Sequence, residues 1–285
     1  MNKVLKRTLT GLILLVILLG FIFLTGLWEG KGQPFFDALL IFVMAFATYE
    51  MITCVKAGGY TVTVIPLCIA IAALYPMITF FGYIGFFVTL GIALVLIFCF
   101  FIFDGRVTLK DMLMSSFVLL YPIAPIGLAL VMTTSYGMIP LLVAAAAAML
   151  SDAIAYYAGS AIGGKKIFPK ISPKKTYAGS IIGLLGGAGG ALIVYALFEV
   201  LPLPINDAVT FETLLPDTYI LFYCLAGTAI AVVSEIGDLF ASRIKRELGI
   251  KDFSHVLGSH GGLLDRLDSI IFAIIFMAIV MAFLV

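Results

Sequence analysis

Apolar residues in this chain come in runs of about twenty, broken by short polar links, and the period-two alternation of a membrane barrel strand is absent. An α-helix needs roughly 20 apolar residues to cross about 30 Å of hydrocarbon, and it satisfies its own backbone on the way. The pattern therefore predicts an all-α integral membrane protein, a polytopic helical bundle of about nine transmembrane helices. The predicted spans are residues 8–28, 35–55, 60–81, 83–103, 112–134, 137–160, 179–200, 218–241 and 268–285. Only the turn around Gly82 separates the third from the fourth.

Composition sharpens the class. Of 285 residues, 63% are apolar and 12% are charged, against roughly 25% charged in an ordinary soluble domain. The first run follows "MNKVLKR" and is longer than the apolar region of a secretory signal; it ends at Trp28 and Glu29 without a small-residue cleavage site, so a retained span is expected. Cys54, Cys68, Cys99 and Cys224 lie in or beside apolar runs with no metal or redox spacing, and are expected to be small buried hydrophobes.

Orientation follows from the basic residues, which are enriched in cytoplasmic loops near span ends. With the N-terminus cytoplasmic, all of the 17 basic residues except Lys31 fall inside. The outer link "EVLPLPINDAVTFETLLPD" carries Glu199, Asp207, Glu212 and Asp217 and no basic residue. Two long inner loops, "GGKKIFPKISPKKTYAG" and "SRIKRELGIKDFSHVLGSHGGLLDR", belong to the C-terminal half, whereas short links join the first five spans. The expected organisation is a set of N-terminal membrane spans over 1–135 and a catalytic membrane region over 136–285 with two cytoplasmic loops.

Ionisable groups in or beside the spans are the candidates for chemistry, since a charge in hydrocarbon costs at least about 2.5 kcal/mol on insertion scales. Asp152 lies deep in the sixth span and must face protein, water or a bound cation. Glu235, Asp238, Ser242 and Lys245 recur at steps of 3, 4 and 3, which lines them along one stripe of a helix. Asp265 and Asp268 likewise share a face at the start of the last span. Hard oxygen ligands of this kind suit Mg²⁺, which completes its shell with water and phosphate oxygens. Ser172, Lys174, Lys175 and Thr176 offer hydroxyls and cations to phosphate. Gly179 opens a glycine-rich span that permits close helix approach, and Gly261 and Gly262 can present N–H groups to an anion at a helix start. Carboxylates beside cations are the parts of phosphoryl or nucleotidyl transfer. Plainer roles stand beside these: topology determinants and anionic-lipid contacts for the lysines, packing for the glycines, a loop position for His255, and for Glu50 either a partner across the bundle or a place near its cytoplasmic mouth.

In series, these segments resemble the phosphatidate cytidylyltransferase family, also called CDP-diacylglycerol synthase. The run "GDLFASRIKRELGIKDFSHVLGSHGGLLDRLD" is similar to the family's C-terminal signature through Ser242, Lys245, Arg246, Lys251, Asp252, His260, Gly261, Gly262, Asp265, Arg266 and Asp268. The segments "SDAIAYYAGSAIGGKK" and "SPKKTYAGSIIGLLGG" resemble the two earlier motifs through Asp152, Ala155, Tyr156, Gly159, Ser172, Pro173, Lys174, Lys175, Thr176 and Gly179. The resemblance covers roughly residues 145–275. It departs at Ala178, where the family usually has Glu, and at Gly258 and Ser259, where it usually has Pro-Gly.

The resemblance implies transfer of CMP from CTP to phosphatidic acid, giving CDP-diacylglycerol and pyrophosphate in phospholipid biosynthesis. It implies Mg²⁺ on Asp238 and Asp265, with Asp268 and Asp152 close by, and admits a monovalent cation such as K⁺. Lys174, Lys175 and Lys251 would neutralise the triphosphate and the leaving pyrophosphate, Arg266 the lipid headgroup, and His260 would assist proton transfer or hold the loop. The expected partners are CTP, phosphatidic acid and the bilayer, with no nucleic acid; a homodimer is admitted. The expected setting is the inner, cytoplasmic membrane with the active site on the cytoplasmic side. Two alternatives stay open: a related CTP-dependent lipid-activating or polyprenol-phosphorylating enzyme, and a transporter, for which the chain shows no internal repeat.

Overall fold

In the computed structural model, the described residues are 20, 32–169, 171–201, 211–256 and 261–284. The first predicted span, Gly20 apart, lies outside them, as do Gly258, Ser259 and His260. The elements are α1 (Gln33–Ala57), α2 (Val64–Phe103), α3 (Leu109–Ser135), α4 (Ile139–Ile162), a hairpin of β1 (Lys166–Phe168) and β2 (Ser172–Thr176), α5 (Tyr177–Val200), the short α6 (Phe211–Leu214), α7 (Tyr219–Glu247) and α8 (Leu264–Leu284). Seven helices among the described residues are long and apolar enough to cross a bilayer, as expected of an all-α polytopic membrane protein. Each predicted span from the second onward falls on one of these helices, the third and fourth sharing α2.

Two ends move relative to the sequence pattern. Helix α7 continues to Glu247 and α8 starts at Leu264, so polar residues excluded from the apolar runs are helical as well. An α-helix needs apolar residues only while it is in lipid, and Arg, Lys and Glu are good helix formers beyond it. Cys68 also differs from expectation: it is exposed, whereas Cys54 is buried.

The chain gathers into two compact units. The first holds α1, α2 and α3 together with Glu247–Arg266. Its 40-residue α2 is broken at Gly82, where φ is +55° and ψ −133°, a conformation that favours a residue without Cβ. The break bends the helix so sharply that a Cβ on Gly85 would fall 1.9 Å from the carbonyl oxygen of Met77. Helix α3 widens into a π turn over Leu119–Ile123, where Pro122 can donate no hydrogen bond. Met44, Met51, Leu67, Leu74, Ile97, Leu130 and Met132 are fully buried and make the core. Inside it, Oδ1 of Asp37 accepts from Gln33 Nε2 (3.0 Å) and Thr133 Oγ1 (3.1 Å). Asp111 forms a capping box with Thr108 and also accepts from the Thr61 N–H at 2.8 Å, which fixes the entry to α2.

The second unit comprises Tyr136–Arg246 and Leu267–Val285. Its frame is a stripe of glycines on α5. A Cβ at Gly179 would stand 2.5 Å from the Ala155 carbonyl oxygen, one at Gly186 2.9 Å from that of Leu150, and one at Gly190 2.5 Å from that of Ala146. The α4 backbone occupies the space where side chains would be, an arrangement that gains dispersion contacts where lipid offers no hydrophobic drive between helices. On another face of α5, Gly187 meets Gly227 of α7, where a Cβ would fall 2.3 Å from the Gly227 carbonyl oxygen.

Replacing Gly187 by Ala therefore requires two backbones to move apart. The expected cost is about 1–3 kcal/mol, read as a lower thermal midpoint in detergent. Gly189→Ala, whose nearest neighbour to a new Cβ is a leucine methyl at 3.7 Å, should leave the midpoint nearly unchanged.

Candidate functional site

In the second unit, the turn from β2 into α5 is built by Thr176, whose buried Oγ1 accepts from the Gly179 N–H at 3.1 Å and caps the helix. Thr176 and Gly179, both expected at the substrate, are thus joined to each other in the cap, and the close contact of Gly179 with Ala155 ties that cap to α4. The cap aims the preceding Lys175 inward. Its Nζ lies 2.8 Å from Asp238 Oδ2, 3.9 Å from Glu235 Oε1 and 3.4 Å from the Glu235 carbonyl oxygen. Ser180, one turn into α5, donates to the other end of the same arrangement, Glu235 Oε1.

Helix α7 supplies Glu235 and Asp238 from the stripe read in the sequence, and its Lys245, 9% exposed, stands 3.8 Å from Asp268 Oδ2. The approach of α8 to α7 rests on Gly237, where a Cβ would come within 2.7 Å of the Asp268 carbonyl oxygen. Asp268 is itself buried, and its Oδ1 accepts from the Ser269 N–H at 2.9 Å. Asp152 of α4 accepts from the Ser269 side chain and lies in electrostatic range of Lys175, Asp238 and Glu235. Asp268 interacts in turn with Asp238, Lys245 and Asp152.

These six side chains set four carboxylates around two lysine ammonium groups in a half-buried setting. Among the described residues no three His, Cys, Asp or Glu side chains gather at ligand spacing. The donor chemistry nevertheless fits a hard divalent cation, since every acidic group of the cluster is a carboxylate.

The remaining candidates of this unit are more open. Ser172 and Ser242 are half-buried, and Lys174 and Arg246 are exposed. Ala178, where the family usually has Glu, is the second residue of α5 and is half-buried.

In the first unit, Lys251 and Arg266 are exposed and Asp265 sits in the first turn of α8. Asp265 Oδ2 accepts from the N–H groups of Phe253 (2.8 Å) and Gly262 (2.9 Å). Gly261 and Gly262 are buried, and Gly261 takes a φ of +77°. Amides at this helix start are thus engaged by the chain's own carboxylates, one of them Glu50 of α1, which accepts from Leu263 and Leu264. His260 lies outside the described residues.

Sequence reasoning placed Asp152, Asp238, Lys175, Lys245 and Asp268 among its candidates, and all five belong to the cluster of the second unit. It saw Glu235 only as part of a stripe and missed Ser180 and Ser269. Serines one turn into a span carry little signal of their own; their partners are 55 residues away or further.

The arrangement defines a polytopic helical membrane protein whose buried carboxylates and lysines are suited to a divalent cation and phosphate groups. The chain belongs to the cytidylyltransferase family, whose family model matches residues 5–284. Among curated proteins it is 37% identical over 168 residues to the phosphatidate cytidylyltransferase of Aquifex aeolicus, covering 59% of this chain and 56% of that one. It is 34% identical over 148 residues to the protein of that name in Bacillus subtilis, with 52% and 49% of the two chains covered. It is 36% identical over 126 residues to the one in Haemophilus influenzae, with 44% and 40% covered. The matched part spans about half the length of these curated relatives.

Removing Lys175 leaves Glu235 and Asp238 without the ammonium between them. Lys175→Met should destabilise the protein by about 1–3 kcal/mol, less than for a fully buried pair because both partners keep some solvent contact. Exposed Lys174→Met should stay within about 0.5 kcal/mol, and thermal unfolding of the two variants side by side checks the difference.

Proposed function

We propose that this chain transfers CMP from CTP to phosphatidic acid, at the cytoplasmic side of the inner membrane. A phosphate oxygen of the lipid attacks the α-phosphorus of CTP; the bond from that phosphorus to the bridging oxygen of the β-phosphate breaks, and pyrophosphate leaves as CDP-diacylglycerol forms. The observation that carries this reading is the second unit's cluster, in which the carboxyl groups of Asp238, Glu235, Asp268 and Asp152 gather around Lys175 and Lys245. The name of the curated relatives, phosphatidate cytidylyltransferase, supports phosphatidate as the acceptor and a cytidylyl group as what is transferred.

In this reading Asp238 and Asp268 would hold Mg²⁺, with K⁺ as an accompanying monovalent ion. The divalent ion would supply charge neutralisation to the triphosphate. Lys175 and exposed Lys174 contact phosphate oxygens, so that an ammonium now paired with Asp238 passes to the nucleotide. Asp152, held by Ser269, would stand beside the metal carboxylates. Lys251, Arg266 and His260 take the phosphate and proton roles that the family resemblance implies, on the strength of the sequence pattern. For Asp265 the proposed role is to hold the backbone at Phe253 and Gly262. The attacking phosphate is already ionised near neutral pH, so the main demand on the protein is alignment and charge compensation.

Purified protein in mixed micelles with phosphatidic acid, Mg²⁺ and CTP labelled in the cytidine should form an organic-soluble cytidine lipid. Asp238→Asn should lower that rate by at least about 100-fold. Label that stays aqueous with the unmodified protein, at all Mg²⁺ concentrations tried, overturns the assignment.

A further inference from the structure

Glu50 lies in the apolar part of α1, 1% exposed, and among the described residues no Lys or Arg pairs with it. Its carboxylate is instead surrounded by donors from the other end of the sequence. Oε1 accepts from the Leu263 N–H at 3.0 Å and from the Ser254 hydroxyl, and Oε2 accepts from the Leu264 N–H at 2.7 Å. The first N–H groups of a helix have no partner inside it and carry the positive end of its dipole. Here a carboxylate more than 200 residues away in sequence fills that place at the head of α8.

Two further contacts join α1 to the same stretches. Cys54, one turn beyond Glu50, donates from Sγ to the Phe253 carbonyl oxygen at 2.8 Å. Gly262 passes so close that a Cβ there would stand 2.7 Å from Glu50 Oε1 and 2.8 Å from Ser254 Oγ. Asp265 ties Phe253 to Gly262 from the other side. Lys251 precedes one of these anchored stretches and Arg266 follows the other.

We propose that Glu50 is a positioning residue: its buried carboxylate clamps Ser254 and the start of α8 to α1, and so sets where Lys251 and Arg266 stand. The consequence for turnover rests on the nucleotidyl transfer proposed above. The physical tie between Glu50 and the two stretches does not. Lys251 and Arg266 are exposed and carry long flexible stems, so their placement depends on the backbone beneath them. A misplacement of about 1 Å in such groups costs up to about 100-fold in rate.

Glu50→Gln keeps the shape but turns an NH₂ toward backbone donors. Amide exchange at Leu263, Leu264 and Phe253 should become at least about 10-fold faster, while amides of α4 and α7 keep their wild-type rates. Turnover per folded molecule should fall about 10- to 100-fold in kcat/KM, with Glu50→Asp recovering part of it. A merely structural role would lower the thermal midpoint and leave turnover of the folded fraction intact.

Should Glu50→Gln fail to fold, Ser254→Ala removes one donor and leaves the carboxylate. The same amides should then exchange faster and kcat/KM should fall several-fold. Unchanged exchange at Leu263 and Leu264, or faster exchange with unchanged kcat/KM, overturns the proposal. Wild-type protein that makes no cytidine lipid counts against the proposed reaction alone, and the exchange measurement still decides whether Glu50 holds the two stretches.

Discussion

The close approach of α4 to α5 is the constraint on which the C-terminal unit depends. At Gly179, Gly186 and Gly190 the α4 backbone stands where a side chain on α5 would be, so even a methyl group would separate the helices. That contact carries Asp152 on one helix and the Thr176 cap, with Lys175 before it and Ser180 after it, on the other. Gly187 against Gly227 then brings α7 to the same depth, and Gly237 does so for α8. Charged side chains meet within the unit because uncharged, side-chain-free positions beneath them allow it. A glycine stripe of this kind costs helix propensity in water, but in a bilayer the helical backbone has no competing partner and the cost is outweighed by close packing.

Carboxylates inside this protein are stabilised in two different ways. In the second unit Asp238 and Glu235 share an ammonium, and Asp268 faces another. In the first unit Asp111, Glu50 and Asp265 accept from backbone N–H groups at or near helix starts. Asp37 belongs to neither group: it is buried against the side chains of Gln33 and Thr133. The contrast explains why an identical residue type at a span end can be structural in one place and chemically available in another. A carboxylate on amides completes a helix; one on a lysine is matched by a group that has its own freedom to move.

Much of the fold was legible because the bilayer imposes a length on apolar runs, and helices from α1 onward lie where those runs lie. The break at Gly82 was legible for a similar reason, since two spans' worth of apolar residues needed a turn and a single glycine stood between them. Helix ends were less so: α7 runs on through Arg243, Lys245 and Arg246, which hydropathy excludes although helix propensity does not. Within the site, the spacing of Glu235, Asp238, Ser242 and Lys245 revealed one face of α7, and the lysines before α5 revealed a cationic partner. Which lysine meets which carboxylate was hidden, because Lys174 and Lys175 are equivalent by composition and only their places on β2, just before the Thr176 cap, turn Lys175 inward and leave Lys174 exposed. Glu50 was the least legible residue of all. Its donors are two backbone amides and a serine, none of which sequence periodicity marks as a partner.

That difference in partners bears on where reactivity can reside. An ammonium on a four-carbon stem can leave Asp238 for a phosphate oxygen without disturbing any helix, and the vacated carboxylate can take another cation in its place. The N–H groups on Glu50 and Asp265 belong to the backbone at and before the head of α8, so they move only when that backbone moves. Exchange of counter-ions therefore asks less of the backbone in the cluster of the second unit than at the head of α8. Four carboxyl groups around two lysines also give that cluster oxygen donors suited to a hard cation. The proposed transfer would need both a cation held by oxygen donors and a lysine able to follow a phosphate group, and Asp238 and Lys175 are the pair that could supply them.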